Sequence, residues 1–462
     1  MQNLTTDQTQ KIEEMINNLM ITHKIPGITV GIISGNKTIY TKGFGFKNLE
    51  KSTSITPLTF FGIGSISKSF TVLGIMNLVN QNKIKLTDPV SKYISYKLGL
   101  PSYPITIHNL LSHSSGVPEL DGTNYVLDVV AKSTEKIIPM ENQNDFFNHL
   151  NNAQSEIHYK PGEHYFYNND HFTCLALIIE KITGQSFAEY MQENIFKPLG
   201  LKRITYLQSD IEKDPIQDIA SFYLKTENDR NCVQTPFPFS EILYAAGGIL
   251  SPTKDMLHYL TLLLNPSQDR NQTIITPEVL KKIWKPVISI PHSIIDGSYC
   301  YGFESIPNFL GETLIEHGGN IIVSSAHIAF IPNLKLGVFV GSNIGTGFVK
   351  YIGISILSIL MKGDANAPFP YSRTLSKIED LCGTYETYRG LNKMILEMKN
   401  STLYMTIHID AGKLTFPLIL LDSDKLKFKI GYTLPISNME IQFFHEENKI
   451  YATFERYVFN KI

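Results

Sequence analysis

The chain reads as an α+β domain, with one sheet closed by distant strands and covered by helices, followed by an all-β barrel or small sandwich. Three observations carry that reading. Strand patterns stand at both ends of roughly the first 360 residues with helical patterns between them, and an unusually apolar helix follows Ser65. After a Pro-rich break, short alternating runs recur to the C-terminus.

Residues Thr6 to Lys24 place Ile12, Met15, Ile16, Leu19 and Met20 at helical spacing, so an amphipathic first helix is expected. Ser34-Gly35-Asn36 then reads as a turn joining the strands Ile28-Ile33 and Lys37-Thr41. Beyond Ser65-Ile66-Ser67-Lys68 come Phe70, Val72, Leu73, Ile75, Met76, Leu78 and Val79, apolar on nearly every face, which predicts a helix inside a core. From about Leu73 to Pro286 helical patterns dominate. In one marked example the run His171 to Ile182 stops at Gly184, and Ser186 with Glu189 forms a capping box for the next helix.

From Thr313 strands return at Ile321-Ile331 and Leu336-Ser342, joined by a turn at Pro332-Asn333, and a helix follows through Gly353-Met361. The small-residue and proline segment Lys362 to Pro370 reads as a linker, which divides the chain into domains at 1–365 and 371–462. Beyond it, Lys393-Lys399, Thr402-Ile409, Leu414-Leu421, Lys425-Tyr432, Met439-Glu446 and Lys449-Arg456 form a meander.

At 462 residues and 43% hydrophobic composition, two or more folding units with a large core are expected. The formal net charge of -2 gives no footprint for nucleic acid or an anionic membrane. The four cysteines are widely spaced with no C-x-x-C pair, so neither a metal site nor a disulfide framework is signalled. The amino terminus lacks the regions of a signal peptide, and the longest apolar stretch, Tyr351-Met361, is about half the roughly 20 residues of a membrane helix, so a cytoplasmic protein is expected.

The chemistry concentrates at the Ser-x-x-Lys tetrad. Residues three apart share a helix face, which sets the Lys68 amine beside the Ser65 hydroxyl near free backbone N–H groups. Three other such tetrads begin at Ser34, Ser133 and Ser251, in a turn, a polar stretch and a Pro-interrupted segment. Only Ser65 follows a glycine-spaced approach, Phe61-Gly62-Ile63-Gly64, into a buried helix. Two further motifs join it. Tyr167-Asn168-Asn169 follows Pro161-Gly162-Glu163 and precedes a helix, and His317-Gly318-Gly319 opens the terminal strands, where absent side chains admit a substrate to the backbone.

With these three motifs in order, the chain resembles the serine β-lactamase and penicillin-binding protein superfamily, in its class C and D-aminopeptidase-like branch, over roughly Gln10 to Met361. Supporting strings are Leu110 to Val117, Ile195 to Gly200, Ala246-Gly247-Gly248-Ile249 and Tyr301-Gly302-Phe303. The C-terminal segment is similar to the lipocalin-like module of an archaeal self-compartmentalising member, which implies a homo-oligomer.

The resemblance implies an α-β sandwich, an antiparallel sheet flanked by helices with an inserted helical region. It also implies a cofactor-free, metal-free serine hydrolase that forms an acyl-enzyme on Ser65, with a small peptide, ester or β-lactam as substrate. Within it, Lys68 is a base that must lose its charge, and Tyr167 is either the base for Ser65 or the acid for the leaving group. Asn169 bonds Lys68 or a substrate amide, Gly318 and Gly319 line the substrate path, and the Asn320 and Ser65 amides form the oxyanion hole. His317 stands where class C β-lactamases carry lysine, which points toward the peptidase branch and permits a charge change between about pH 5 and 8. Simpler roles remain open at the same residues: an N-cap at Ser65 or Asn169, and core packing for Tyr167 and His317. Carboxylesterase, β-lactamase and non-catalytic penicillin-binding functions stay as alternatives. His108, His113, Trp284 and the sequons at Asn36, Asn271 and Asn400 read as structural or incidental.

Overall fold

The computed structural model describes residues 3–130, 140, 142–225, 232–268, 274–291, 296–365, 367–368, 377–399, 402–409, 412–422, 425–430, 439–446, 449–454 and 457–462. They fall into two compact units, Met1–Pro368 and Phe369–Ile462.

In the first unit the N-terminal hairpin, Gly27–Ser34 with Lys37–Asn48, joins the sheet by pairing with Leu336–Ser342 from the far end of the unit. Val30 lies opposite Val340 in that register. Ser325–Ile331, Glu312–Asn320 and Glu304–Phe309 continue outward, and short strands complete a nine-stranded sheet whose registers are all antiparallel. Alternation then sorts the side chains between the faces. His317, Ile328, Phe339 and Gly31 share one face through their pairing, and Gly31 leaves room there for Leu257 of the helix Thr253–Leu264. His327 faces the other way, under Gly353 of the helix Phe348–Lys362. That helix is backed in turn by Thr6–His23, where His23 stacks on Phe348 at 3.9 Å.

The helix Ser67–Asn80 is buried on every side as its composition predicts, with Phe70, Val72, Leu73, Ile75, Met76 and Leu78 all at 0% exposure. Each such side chain contributes about 1.5–3 kcal/mol by burial, so the mount is held by packing from all directions. The Gly184 stop and the Ser186–Glu189 capping box also form as expected: Gly184 adopts φ 71° and Ser186 accepts from the Glu189 N–H.

Two strand readings need correction. The expected strand Ile321-Ile331 begins only at Ser325, because Ile321–Ser324 folds into a turn with Ile322 at φ 59°. Asn320 Oδ1 accepts from the Ile322 N–H and closes that turn. Within the predominantly helical stretch, Leu250–Pro252 pairs with Phe60–Gly62, and Tyr223–Lys225 with Cys232–Gln234. Isolated apolar runs carry no mark that distinguishes such short strands from loops.

The second unit is a closed eight-stranded barrel with its own core, including Tyr385, Met394, Met405, Phe428, Ile441 and Phe443. Six strands fall where the meander predicts. Closure comes from Gly383–Glu386 and Tyr457–Lys461, which the sequence pattern does not reveal and which pair Tyr385 with Lys461. The expected tetrad at Ser133, the sequons at Asn271 and Asn400, and part of the 362–370 linker lie outside the described residues.

Candidate active site

Ser65 sits in a 3-10 turn, Gly64–Ile66, that runs directly into the buried helix. The helix cap is Ile66, with no side-chain cap bond, so the Ser65 hydroxyl is not used as a cap. That hydroxyl lies 3.1 Å from Lys68 Nζ. Of the other tetrads, Ser34 and Lys37 are opposed across the hairpin, and the Ser251 hydroxyl bonds the Pro252 carbonyl.

Lys68 is wholly buried and its Nζ has three neighbours: Ser65 Oγ, Asn169 Oδ1 at 2.6 Å and the Ala246 carbonyl at 2.7 Å. The last two can only accept. A neutral amine has two N–H donors and one lone pair, so donating to Asn169 and Ala246 turns the lone pair toward the Ser65 O–H. Burial pushes the Lys68 ammonium down to about 7, against a smaller upward pull from Glu119. The free amine is therefore accessible near neutrality.

Tyr167 reaches the site from the loop before the helix Asn169–Thr183. Its ring lies 4.7 Å from Lys68 Nζ and 4.3 Å from the His113 ring. Burial lifts the phenol well above its ordinary value, although the bond to Ser65 opposes this. The helix cap here is Asn168, which accepts from the His171 N–H, leaving the Asn169 side chain free to bond Lys68.

His317 stands on the sheet face that bears the site, its ring 6.2 Å from that of Tyr167. Nδ1 lies 2.6 Å from the Gly318 carbonyl, so it carries the proton, and Nε2 then accepts from the Tyr299 hydroxyl at 3.0 Å. Burial, with the charge of Lys68, lowers the imidazole to about 3. The expected charge change between about pH 5 and 8 is thereby corrected: His317 is neutral throughout that range.

The two glycines after His317 differ in what they do. A Cβ on Gly318 would meet nothing within 4 Å, which leaves space along the strand. A Cβ on Gly319 would stand 2.0 Å from the Ile63 carbonyl oxygen and 2.9 Å from the Ser65 nitrogen. Gly319 therefore has no room for a side chain, because the backbone of the Ser65 turn lies directly against it. Gly64, at φ 52°, completes the contact from the other side, 2.6 Å from the Asn320 nitrogen by the same measure. The Ser65 and Asn320 amides thus both belong to this close approach.

The sequence reading missed Glu119, Tyr299 and the Ala246 carbonyl, and it treated His113 as incidental. Glu119 accepts from the Asn169 N–H at 2.6 Å, and His113 Nδ1 accepts from the Asn168 N–H at 3.1 Å. The strings Leu110 to Val117 and Ala246 to Ile249 were the available signals for two of them. Trp284 packs on Phe330 as expected, with centroids 5.3 Å apart. Among the described residues no group of three or more His, Cys, Asp or Glu could hold a metal ion, and no helix is long and apolar enough to cross a membrane.

A serine in the turn that opens a buried helix, a lysine on that helix, a phenol from a distant loop and a glycine-paired strand beside them are the architecture of the superfamily of β-lactamases and penicillin-binding proteins, whose members are generally serine hydrolases. Residues 12–357 match the β-lactamase family, and the chain belongs to it. Residues 366–460 match the family described as the Pab87 octamerisation domain. The solved structure of the octameric penicillin-binding protein homologue from Pyrococcus abyssi is 32% identical, with a TM-score of 0.82 over 98% of this chain and 100% of that one. Protein flp of Staphylococcus aureus (strain MW2) is 26% identical over 357 residues, covering 75% of this chain and 65% of that protein, so the chain spans about two thirds of that relative's length. The unguisins hydrolase ungD' of Aspergillus campestris is 25% identical over 429 residues, covering 88% of this chain and 74% of that protein.

Proposed function

We propose that the chain is a serine hydrolase acting through an ester on Ser65, and that it cleaves peptide amides. The observation that carries this reading is the three-way setting of Lys68 Nζ, which aims a lone pair at the Ser65 hydroxyl. In the proposed reaction Ser65 Oγ attacks the substrate carbonyl carbon as Lys68 takes its proton. The developing oxyanion is received by the Ser65 and Asn320 N–H groups, each such donor contributing ~10²-fold or more. The raised phenol of Tyr167 argues against a tyrosinate base, so Tyr167 acts as a neutral donor through which the proton returns to the departing amine. Water then hydrolyses the ester by the reverse route.

The peptidase reading, of the penicillin-binding or D-aminopeptidase type, rests on His317. A neutral imidazole offers no fixed positive charge for the carboxylate of a β-lactam, whereas a lysine in that place would. Intact-mass detection of an adduct mapped to Ser65 tests the proposal across a panel of D-peptides, esters and penicillins. Turnover of peptides with at most slow acylation by penicillin is expected. A panel that leaves Ser65 unmodified overturns it.

Because Lys68 must be neutral to act and its folded value is lowered to about 7, kcat/KM is expected to rise as pH increases through about 7 and to fall below it. A profile flat from pH 5 to 8 would contradict Lys68 as the base.

The barrel is proposed as an assembly module, which makes the protein a homo-oligomer. The support is its match to an octamerisation domain and the octameric state of the Pyrococcus abyssi protein. A chain ending at Pro368 is expected to show a smaller assembly by light scattering, and an unchanged assembly size would dismiss that role. The cytoplasm is the proposed compartment.

A further inference from the structure

We propose that His113 is the positioning residue for Tyr167, holding the phenol where it hands a proton to the departing amine. The inference rests on the acyl-enzyme reading above and adds to it a residue that acts on the reaction only through Tyr167.

The short helix Ile107–Leu111 ends in a Schellman turn. In it the Ser114 N–H donates to the Asn109 carbonyl at 3.0 Å, and the His113 N–H to that of Leu110 at 3.4 Å. His113 takes the left-handed position of that turn, at φ 54°, where glycine is the usual occupant and a residue with a Cβ is strained. The same side chain is 0% exposed, and its Nε2 has no hydrogen-bond partner among the described residues. Backbone strain and an unpaired buried N–H both oppose histidine here, and glycine would remove both. What glycine lacks is the ring.

The carbonyl and the ring of His113 bracket Tyr167. The carbonyl accepts from the Phe166 N–H at 3.0 Å and Nδ1 accepts from the Asn168 N–H at 3.1 Å, so the residues before and after Tyr167 are tied to one side chain and its own backbone. Between these bonds the two rings lie 4.3 Å apart. The imidazole also meets Tyr299 at 4.6 Å and Phe172 at 5.3 Å, so packing fixes its orientation. Nδ1 accepts only in the tautomer protonated at Nε2, and burial with the nearby Lys68 charge keeps the ring neutral. In the proposed step the C–N bond breaks, the leaving nitrogen takes the phenol proton, and the Lys68 ammonium replaces it. That transfer needs the phenol within hydrogen-bond reach of the nitrogen, which a loop without these ties would seldom supply.

The test uses the full chain and reads kcat/KM, which ends at release of the leaving group. An amine leaves only with a proton, whereas nitrophenolate needs none. His113→Phe keeps a ring and removes the acceptor. It is expected to lower kcat/KM for peptide amides at least about tenfold, and for a nitrophenyl ester less than about threefold. In a chain already carrying Tyr167→Phe, the same change is expected to alter amide cleavage less than about threefold, since the donor it serves is gone. Hydrogen exchange resolved by mass spectrometry is expected to quicken at the Asn168 amide at least about tenfold in His113→Phe. His113→Asn tolerates the left-handed backbone and keeps an acceptor at the place of Nδ1, so the parental exchange rate is expected there. Equal losses on amide and ester, a full loss persisting beside Tyr167→Phe, or an Asn168 amide equally protected in His113→Phe would each overturn the proposal. Should His113→Phe not fold, His113→Asn decides it through the ring contact: an amide-selective loss of at least about threefold, absent beside Tyr167→Phe, is expected, and no selective loss overturns the proposal. Failure of Ser65 in the parent chain to take up a fluorophosphonate would instead refute the acyl-enzyme reading, and the exchange rates would still judge the hold on Tyr167.

Discussion

Ser65→Ala is expected to lower hydrolysis of peptide and activated ester substrates at least about a thousandfold while leaving the fold in place. The size of the loss follows from the chemistry, since no other hydroxyl in the turn can form the ester. The persistence of the fold follows from the site: Ser65 caps no helix, and the helix behind it is packed on every side by residues such as Phe70 and Met76. Its hydroxyl is bonded to a group of the same site, Lys68 Nζ. A melting temperature within a few degrees of the parent, beside lost turnover and lost acyl adduct, is the expected pair of results. Retained turnover by purified variant would place the nucleophile elsewhere.

Gly319→Ala is expected to be nearly as damaging to activity, by a different route. One added methyl group would meet the Ile63 carbonyl oxygen at 2.0 Å, and both partners are backbone, so no side chain can swing aside. The strand and the Ser65 turn must separate. That costs about 1–3 kcal/mol of stability by the usual measure of overpacking. It also spreads the Ser65 and Asn320 N–H groups, whose loss as a receiver for charge corresponds to ~10²-fold or more in kcat. Gly318→Ala is the control: its Cβ meets nothing within 4 Å, so stability should change by less than about 1 kcal/mol. Equal effects of the two substitutions, read by thermal melting and kcat, would refute this division of roles between neighbouring glycines.

Much of the frame was legible beforehand because its signals are local. A buried helix, a capping box at Ser186 and Glu189, and the hairpin at Gly35 each announce themselves within a dozen residues. The strands that close the barrel were missed for the opposite reason. Gly383–Glu386 and Tyr457–Lys461 are four and five residues long, and it is their pairing with each other and with their neighbours Lys393–Lys399 and Lys449–Phe454 that makes them strands. The same holds for the turn at Ile321–Ser324, where an apolar run reads as a continuous strand until Asn320 bonds back to Ile322 and breaks it.

At the site, order along the chain named the nucleophile, the amine, the phenol and the imidazole, because Ser-x-x-Lys, Tyr-x-Asn and His-Gly-Gly are short motifs whose residue types limit their chemistry. Proton occupancy was beyond reach of those motifs. Whether Lys68 is an amine and whether His317 is charged depend on burial and on partners about 100 to 250 positions away. Residue identity alone determined which atoms could react. Tertiary structure decided their charge, because desolvation and the donors facing each group exist only after distant segments have packed together.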